Sequence, residues 1–150
     1  FPNYKLVIIG DGKDKIKLRN ICIDLKINKK VKFEGWKSDL SRYYLRSKIL
    51  LLPSLYEGLP NTLIDAVNFD LPCISSNCSG AKDILLKDSR IFSPSNNYEI
   101  LSKKIELMIL EYGKILNQNK ILKKNLSNFL ITNQVTEYLK YCNFIINRSI

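Results

Sequence analysis

The chain has 150 residues, of which 45% are hydrophobic and 25% charged, a composition typical of a folded globular protein. Its 24 basic and 14 acidic residues give a net charge of +10, so its surface should attract phosphorylated ligands, nucleic acid or anionic lipid. It has no histidine, no C-x-x-C pair among its four cysteines and no apolar run long enough for a membrane span, which argues against a zinc site, a histidine-based triad and an integral membrane protein.

Short apolar runs and helical patterns alternate along the chain. Strands are predicted for "KLVIIG" (5–10), "VKFEG" (31–35), "KILLLPS" (48–54), "LPCISS" (71–76) and "SRIFSP" (89–94). Strands that read as continuous apolar runs are typical of a parallel sheet that is buried on both faces. The predicted fold class is therefore α/β, with a Rossmann-like parallel sheet, helices on both of its faces and a helical C-terminal end.

The helical segments are recognised by apolar residues that recur on one face. The first such face comprises Leu18, Ile21, Cys22 and Leu25, and a short helix is predicted within 38–46. From residue 97 onward the pattern is wholly helical, with faces formed by Leu101, Ile105, Met108 and Tyr112 and by Val135, Tyr138, Leu139 and Cys142. Two or three terminal helices are expected to pack on the sheet or on a neighbouring domain.

Ligands of such a sheet bind where its strands end and the following loops gather. This predicts a shared site for the loops 10–13, 35–38, 54–61 and 76–81. The "GDG" at 10–12 matches only the start of a dinucleotide fingerprint, because Lys15 stands where the third glycine would be, and a plain tight turn is the favoured interpretation.

The segment "SLYEGLPNTLIDAV" joins a predicted strand to a predicted helix. Pro60 suits the first helical turn, and Asn61 and Thr62 then present free backbone amides at the positive end of the helix, which is a ready anion site. Glu57 lies before the helix and Asp65 one turn inside it. Their carboxylates could accept hydrogen bonds from the hydroxyl groups of a ligand, on either side of its diphosphate. A nucleotide sugar matches this arrangement. Spacing alone leaves an alternative open, in which Glu57 only favours the helix dipole and Asp65 is a surface residue.

The run "VKFEGW...LLLPSLYEGLPNTLIDAVNFDLPCISSNCSGAKDIL" resembles the donor-binding half of glycosyltransferase family 4 enzymes, which have the GT-B fold. The resemblance extends from "LVIIGDG" to the "VTEYLKYCNFII" terminal helix. Its specific motif is a Glu followed eight residues later by a second acidic residue, in the context S-x-Y-E-G-x-P. Asp65 takes the place of the family's second Glu, and because it is one methylene shorter, its contact with a ribose requires a closer backbone or a bridging water.

The resemblance implies a role for each matching position. Glu57 would accept hydrogen bonds from the donor hexose, Asp65 would hold the ribose, and the amides around Asn61 and Thr62 would receive the diphosphate. The remaining donor-binding positions that the resemblance implies are Gly58 and Leu59 beside Glu57, Gly10 and Gly12 along the crevice between domains, Gly35, Trp36 and Lys37 beside the base, and Gly80 after the next strand. It implies no metal and no cofactor; a nucleophilic role for Glu57 is a minor alternative.

Residues 1–150 are thus expected to form a single domain, the donor half of a longer two-domain protein. The opening "FPNYKLVIIG" has no initiator Met, and both the family's diphosphate-clamping Arg and Lys and its acceptor domain with the active-site His are missing from this chain. Such a protein would be cytoplasmic, in contact with the inner membrane face through anionic lipid. The cysteines are expected to be reduced.

The function implied is that of a retaining, metal-independent glycosyltransferase, which transfers a hexose from a UDP- or GDP-linked donor to a glycan or lipid-linked acceptor. Two alternatives stay open. Paired carboxylates are also the signature of glycosidases. A non-enzymatic basic module that binds nucleotide, nucleic acid or anionic membrane is the other, although the scattered lysines, without interleaved aromatic residues, disfavour a nucleic-acid partner.

Overall fold

Parallel strands and helices alternate in the computed structural model, which describes residues 3–86 and 97–146 together with the backbone of 91–92. The strands are β1 (Leu6–Ile9), β2 (Val31–Gly35), β3 (Leu50–Leu52), β4 (Cys73–Ser76) and β5 (Ile91–Phe92). The helices are α1 (Lys15–Asp24), α2 (Ser41–Arg46), α3 (Asn61–Asn68), α4 (Ser79–Leu85), α5 (Tyr98–Leu110), α6 (Tyr112–Asn125) and α7 (Ile131–Ile146), with a 3₁₀ turn at Leu126–Phe129. The α/β prediction is confirmed.

The chain divides into two compact units, Phe1–Arg42 and Tyr43–Ile150. In the first unit β1 and β2 pair in parallel, with Leu6 opposite Val31 and a register shift between Ile8 and Ile9. Helix α1 connects them, as expected for parallel neighbours. Of the four apolar positions predicted for this helix, only Cys22 is buried, and Leu18, Ile21 and Leu25 are exposed.

In the second unit β3, β4 and β5 pair in parallel in that order. Strand β4 is its central strand and is buried along its whole length, which explains why "CISS" carries only small or apolar side chains. Positions 89, 90, 93 and 94 of the last predicted strand lie outside the described residues. The pairing of Ser75 with Ile91 places β5 beside β4.

The core of the second unit lies between the sheet and the helices that follow it. Ile74 of β4, Met108 of α5 and Ile115 of α6 are buried together, and the cluster is completed by Ile49, Leu51, Leu101 and Ile105. The predicted α5 face is confirmed at Leu101, Ile105 and Met108. The apolar face predicted for α7 is not packed in a core, because helix α7 has no buried residue in the part of the chain that the structure describes.

Candidate functional site

The loop after β3 is organised by a hydrogen bond between two of its own side chains. The Oγ of Ser54 donates to Oε1 of Glu57 across 2.9 Å, and Glu57 is half-buried. No described residue donates a hydrogen bond to Oε2. The carboxylate is therefore held at one oxygen, while the other is available to a ligand.

Strand β4 supports this loop from below. The Ser76 hydroxyl donates to the carbonyl oxygen of Ser54, and the Ser75 hydroxyl donates across 3.4 Å to the carbonyl oxygen of Leu52. Both β4 serines are fully buried, so each needs such an acceptor. The two contacts tie the end of β3 and the start of the loop to the neighbouring strand.

A cleft of about 620 Å³ opens beside Glu57, within the range of small-molecule sites. It lies between the loop after β3 and the loop after β4, and its lining residues are Leu55, Tyr56, Glu57, Gly58, Asn77, Cys78 and Ser79. A carboxylate, an amide and a hydroxyl face it together with an aromatic side chain. These groups can bind a ligand that carries several hydroxyls.

Helix α3 begins directly after this loop with its first amides open. Pro60 is the N-cap, with φ −75° and ψ 96°, one position earlier than the sequence predicted. The amide of Leu63 donates to the Pro60 carbonyl across 2.9 Å, and no described residue accepts from the amides of Asn61 or Thr62. The first turn contains no acidic residue, so its positive end is not neutralised locally.

Asp65 lies one turn further along α3 and is exposed. It does not belong to the residues that line the cleft, so the structure brings Glu57, Gly58 and the β4 loop together there but not Asp65. Its charge acts on a neighbour instead. Burial raises the pKa of Tyr44 to about 12, and electrostatic interactions with Asp65 and then with Cys73 contribute to the increase.

Gly80 does not occupy the predicted open loop position, whereas Leu59 lies in its predicted loop. The loop after β4 ends at Cys78, the N-cap of α4, and Gly80 is buried in the first turn of that helix, against the backbone of Gly58 and Leu59. Leu59 is exposed and precedes the N-cap of α3. The predicted loop 76–81 therefore extends three residues too far at its C-terminal end, and its first residue, Ser76, belongs to β4.

The glycine loops of the first unit close on each other. The amide of Gly10 donates to the carbonyl oxygen of Gly35 across 2.8 Å, and both glycines have positive φ, +119° and +69°. The amide of Gly12 donates to Oδ1 of Asp11, whose Oδ2 accepts from Nζ of Lys15, and these contacts lower the pKa of Asp11, the Lys15 contact most. The "GDG" is thus a tight turn in which the Asp11 carboxylate accepts the hydrogen bond that the Gly12 amide could otherwise donate to a ligand.

Trp36 and Lys37 follow Gly35 on the surface. The Trp36 side chain is 73% exposed, which leaves its ring faces open for stacking. Lys37 is less free, because its Nζ lies 3.8 Å from Oε2 of Glu34. A ligand that uses the Lys37 charge must compete with this carboxylate.

Sequence reasoning missed the residues that hold Glu57. Ser54 could have been suspected only from its closeness in sequence, as a hydroxyl three residues before the carboxylate of Glu57. Ser76 offered a weaker signal, as a polar residue at the end of a buried strand. Three residues that line the cleft were not predicted individually and were covered only by the predicted loop 76–81: Asn77, Cys78 and Ser79.

The family profile described as "Glycosyl transferases group 1" matches residues 1–129. The chain belongs to this family. Among curated proteins, this glycosyltransferase domain is 36% identical over 143 residues to the GalNAc-alpha-(1->4)-GalNAc-alpha-(1->3)-diNAcBac-PP-undecaprenol alpha-1,4-N-acetyl-D-galactosaminyltransferase of Campylobacter jejuni. That match covers 92% of the chain and 38% of the relative.

Two solved structures share the fold of the glycosyltransferase chain. The lipopolysaccharide outer core galactosyltransferase WaaB is 29% identical with a TM-score of 0.68, over 97% of this chain and 41% of that one. HepE of Anabaena, solved in complex with UDP-glucose, is 20% identical with a TM-score of 0.80, over 94% of this chain and 42% of that one. These similarities place the chain with the C-terminal domains of GT-B glycosyltransferases.

The chain spans 23% to 33% of the length of three further curated relatives. Among the described residues, none of the helices of this glycosyltransferase chain has the length and hydrophobicity required to cross a bilayer. Within the same residues, no three Cys, Asp or Glu side chains cluster as ligands of a metal ion.

Proposed function

We propose that the chain is the donor-binding domain of a retaining glycosyltransferase, which transfers a hexose from a nucleotide diphosphate sugar to a glycan or lipid-linked acceptor. The observation that carries the proposal is the position of Glu57. It is held by Ser54 at the edge of a cleft, three residues before the open N-terminus of α3. A hydroxyl-binding carboxylate thus lies beside an anion-binding helix end, in the order in which a sugar and its diphosphate are joined.

Each part of the donor has a group that can bind it. Oε2 of Glu57 accepts a hydrogen bond from the hexose, and the amides of Asn61 and Thr62 receive the diphosphate. Asp65 is assigned the ribose diol, from the exposed face of α3. In the first unit, the family resemblance assigns Gly35, Trp36 and Lys37 to the base and Gly10 and Gly12 to the crevice between the domains of the full-length protein.

Transfer would depend on positioning the donor and on stabilising the departing diphosphate, whose negative charge grows as the glycosidic bond breaks. The open amides of α3 supply part of this stabilisation without a metal ion. The remaining positive charges are assigned to the Arg and Lys that the family carries just before its counterpart of β1, and the acceptor is assigned to a second domain of the full-length protein. The UDP-glucose in HepE and the undecaprenol-linked substrate of the Campylobacter relative support a UDP-linked donor and a lipid-linked acceptor. Such an enzyme would work at the cytoplasmic side of a membrane.

Calorimetry on the full-length protein tests this proposal. UDP-, GDP- and ADP-sugars and the corresponding free nucleotides are titrated separately. For one of the three bases, the nucleotide sugar is expected to bind more tightly than the free nucleotide. Glu57→Ala should remove that difference, about 12- to 150-fold in Kd for the loss of a charged hydrogen bond of about 1.5–3 kcal/mol. Glu106→Ala, on the exposed side of α5, is the matched control.

Three results would overturn the proposal. One is Glu57→Ala that binds the sugar conjugate as tightly as wild type. Another is release of free sugar from an oligosaccharide with no nucleotide present, which would make the protein a glycosidase. The third is steeply salt-dependent binding to RNA or anionic vesicles that Glu57→Gln leaves unchanged, with no nucleotide sugar bound. Retention is checked separately, from the anomeric configuration of the product by NMR.

A further inference from the structure

Gly80 makes an unusually close approach to the loop that carries Glu57. A Cβ built on Gly80 would lie 2.0 Å from the carbonyl oxygen of Gly58, 2.8 Å from its carbonyl carbon and 2.9 Å from Cα of Leu59. All three are backbone atoms, so no side-chain rotation could relieve the overlap. The backbone conformation of Gly80 is not left-handed, and the position therefore requires glycine for space rather than for φ.

The contact is made by the loop that borders the cleft. A Cβ built on Gly58 would meet no atom within 4 Å, and Gly58 itself lines the cleft. The Gly58–Leu59 peptide thus contacts helix α4 at Gly80 and belongs to the cleft wall. Any group added at Gly80 would displace this peptide.

Helix α4 cannot easily move away from the loop. Ala81, Ile84 and Leu85, which follow Gly80 in the same helix, are fully buried. Their displacement would open space in a packed core, and closely packed interiors resist such changes. The loop is the part that must shift.

The loop is also tied at both ends. Glu57 is bonded to Ser54, whose carbonyl accepts from Ser76, and the Pro60 carbonyl accepts from the amides of Leu63 and Ile64. A displacement in the middle of the loop must therefore be absorbed by Glu57 on one side and the start of α3 on the other. These are the two groups assigned to the hexose and the diphosphate.

We propose that Gly80 is a positioning residue: its missing side chain sets the place of the Gly58–Leu59 peptide and, through it, the spacing between the Glu57 carboxylate and the open amides of α3. This inference rests on the proposed function for what the spacing serves. The family resemblance implied that Gly80 contacts the donor; we assign it instead to support of the loop that carries Glu57.

The test is Gly80→Ala in the full-length protein, with Gly113→Ala as the matched control. Gly113, like Gly80, is the second residue of its helix, but a Cβ there would meet no atom within 4 Å. Calorimetry with UDP and UDP-glucose is expected to show at least a tenfold loss of affinity for the sugar conjugate in Gly80→Ala and none in Gly113→Ala. A crystal structure of the unliganded Gly80→Ala protein should show the Gly58–Leu59 peptide displaced by about 1 Å, the shift that brings the new contact to the 3.0 Å limit.

The outcomes separate the two proposals. If the wild-type protein binds no nucleotide sugar, the proposed function fails, and the displacement in the unliganded crystal structure still decides whether Gly80 sets the loop. If wild type binds, and Gly80→Ala lowers the melting temperature but leaves both affinities unchanged, the glycine is merely structural and the inference is wrong. An undisplaced peptide also contradicts it.

Should Gly80→Ala not fold, adding Ser54→Ala frees one end of the loop. Recovery of soluble protein is then expected, with the preference for UDP-glucose over UDP lost beyond the effect of Ser54→Ala alone. If this double variant also fails to fold, the added methyl group must disrupt α4 itself and not the loop, which would contradict the proposal.

Discussion

Ser54 and Glu57, three residues apart in the loop after β3, are joined by a 2.9 Å hydrogen bond from the serine hydroxyl to Oε1 of the carboxylate. The serine is itself anchored, because its carbonyl accepts from the buried Ser76 hydroxyl. A residue assigned to substrate binding is therefore oriented by a chain of two hydrogen bonds that begins inside the sheet.

Ser54→Ala should weaken the hexose contact selectively. Without its partner Glu57 samples other rotamers, and a neutral hydrogen bond of about 0.5–1.5 kcal/mol corresponds to a roughly 2- to 12-fold weaker Kd for the nucleotide sugar. The affinity for free nucleotide should not change, and Ser54→Thr should behave as wild type. Calorimetry measures both, with Ser102→Ala on the exposed side of α5 as control. An equal loss for nucleotide and conjugate would show that Ser54 supports the whole loop.

Asp65→Asn should weaken the nucleotide and its sugar conjugate by the same factor, about tenfold for one charged hydrogen bond of about 1.5 kcal/mol. The reason is its place on α3, outside the cleft that Glu57 lines, for which the proposed function assigns it the ribose and not the hexose. Fluorescence titration with both ligands gives the ratio, and Asp24→Asn at the exposed end of α1 is the control. Loss confined to the conjugate would contradict the ribose assignment.

Tyr44→Phe should leave the free energy of unfolding unchanged or raise it by up to about 1 kcal/mol at pH 7, because a buried hydroxyl without a partner costs free energy. The Tyr44 side chain is 6% exposed, its ring centroid lies 5.4 Å from that of Phe69, and its hydroxyl has no hydrogen-bond partner among the described residues. Urea denaturation of both proteins measures the difference. A clear loss of stability would mean that the hydroxyl is bonded in solution.

The same pair of proteins should diverge at alkaline pH. Burial raises the pKa of Tyr44 to about 12, above the value of about 10 that tyrosine has in an unfolded chain. The neutral hydroxyl is favoured in the folded state, so its contribution is fully present below pH 10 and is lost as the pH rises toward 12. Tyr44→Phe should therefore lose less stability than wild type between pH 9 and pH 11. Parallel curves would exclude a raised pKa.

Gly35→Ala should destabilise the first unit by about 1–2 kcal/mol, because its φ of +69° brings an added Cβ close to the following carbonyl. Gly12→Ala is the control: its φ is not positive and a Cβ there would meet no atom within 4 Å. Chemical denaturation followed by Trp36 fluorescence reports on both variants. Equal stability of the two would show that the turn relaxes to another conformation.

The order of strands and helices could be read from the sequence because each depends on local periodicity. The face of Leu101, Ile105 and Met108 is such a case, and it does lie in the core. The helix of Leu18, Ile21 and Leu25 shows the limit, since periodicity identifies an apolar face but not whether anything covers it.

The candidate site was predictable only where its residues are neighbours in sequence. Glu57 and the α3 amides were found through one motif. The contact of Gly80 with Gly58 and the bond from Ser76 to Ser54 join residues about twenty apart, and they depend on the register of β3 against β4, which no spacing rule specifies. Asp65 was predicted to share a crevice with Glu57, yet the cleft beside Glu57 is lined by the β4 loop instead.

The free oxygen of Glu57 has a stereochemical consequence. The Ser54 hydrogen bond to Oε1 fixes the carboxylate, so its remaining acceptor sites, above all those of Oε2, face the sugar from directions set by the protein. Under the proposed function, epimeric hexoses that differ in one axial or equatorial hydroxyl would present their donors to this carboxylate at different angles. Discrimination between such epimers would then depend on the orientation of a single carboxylate and not on the size of the cleft.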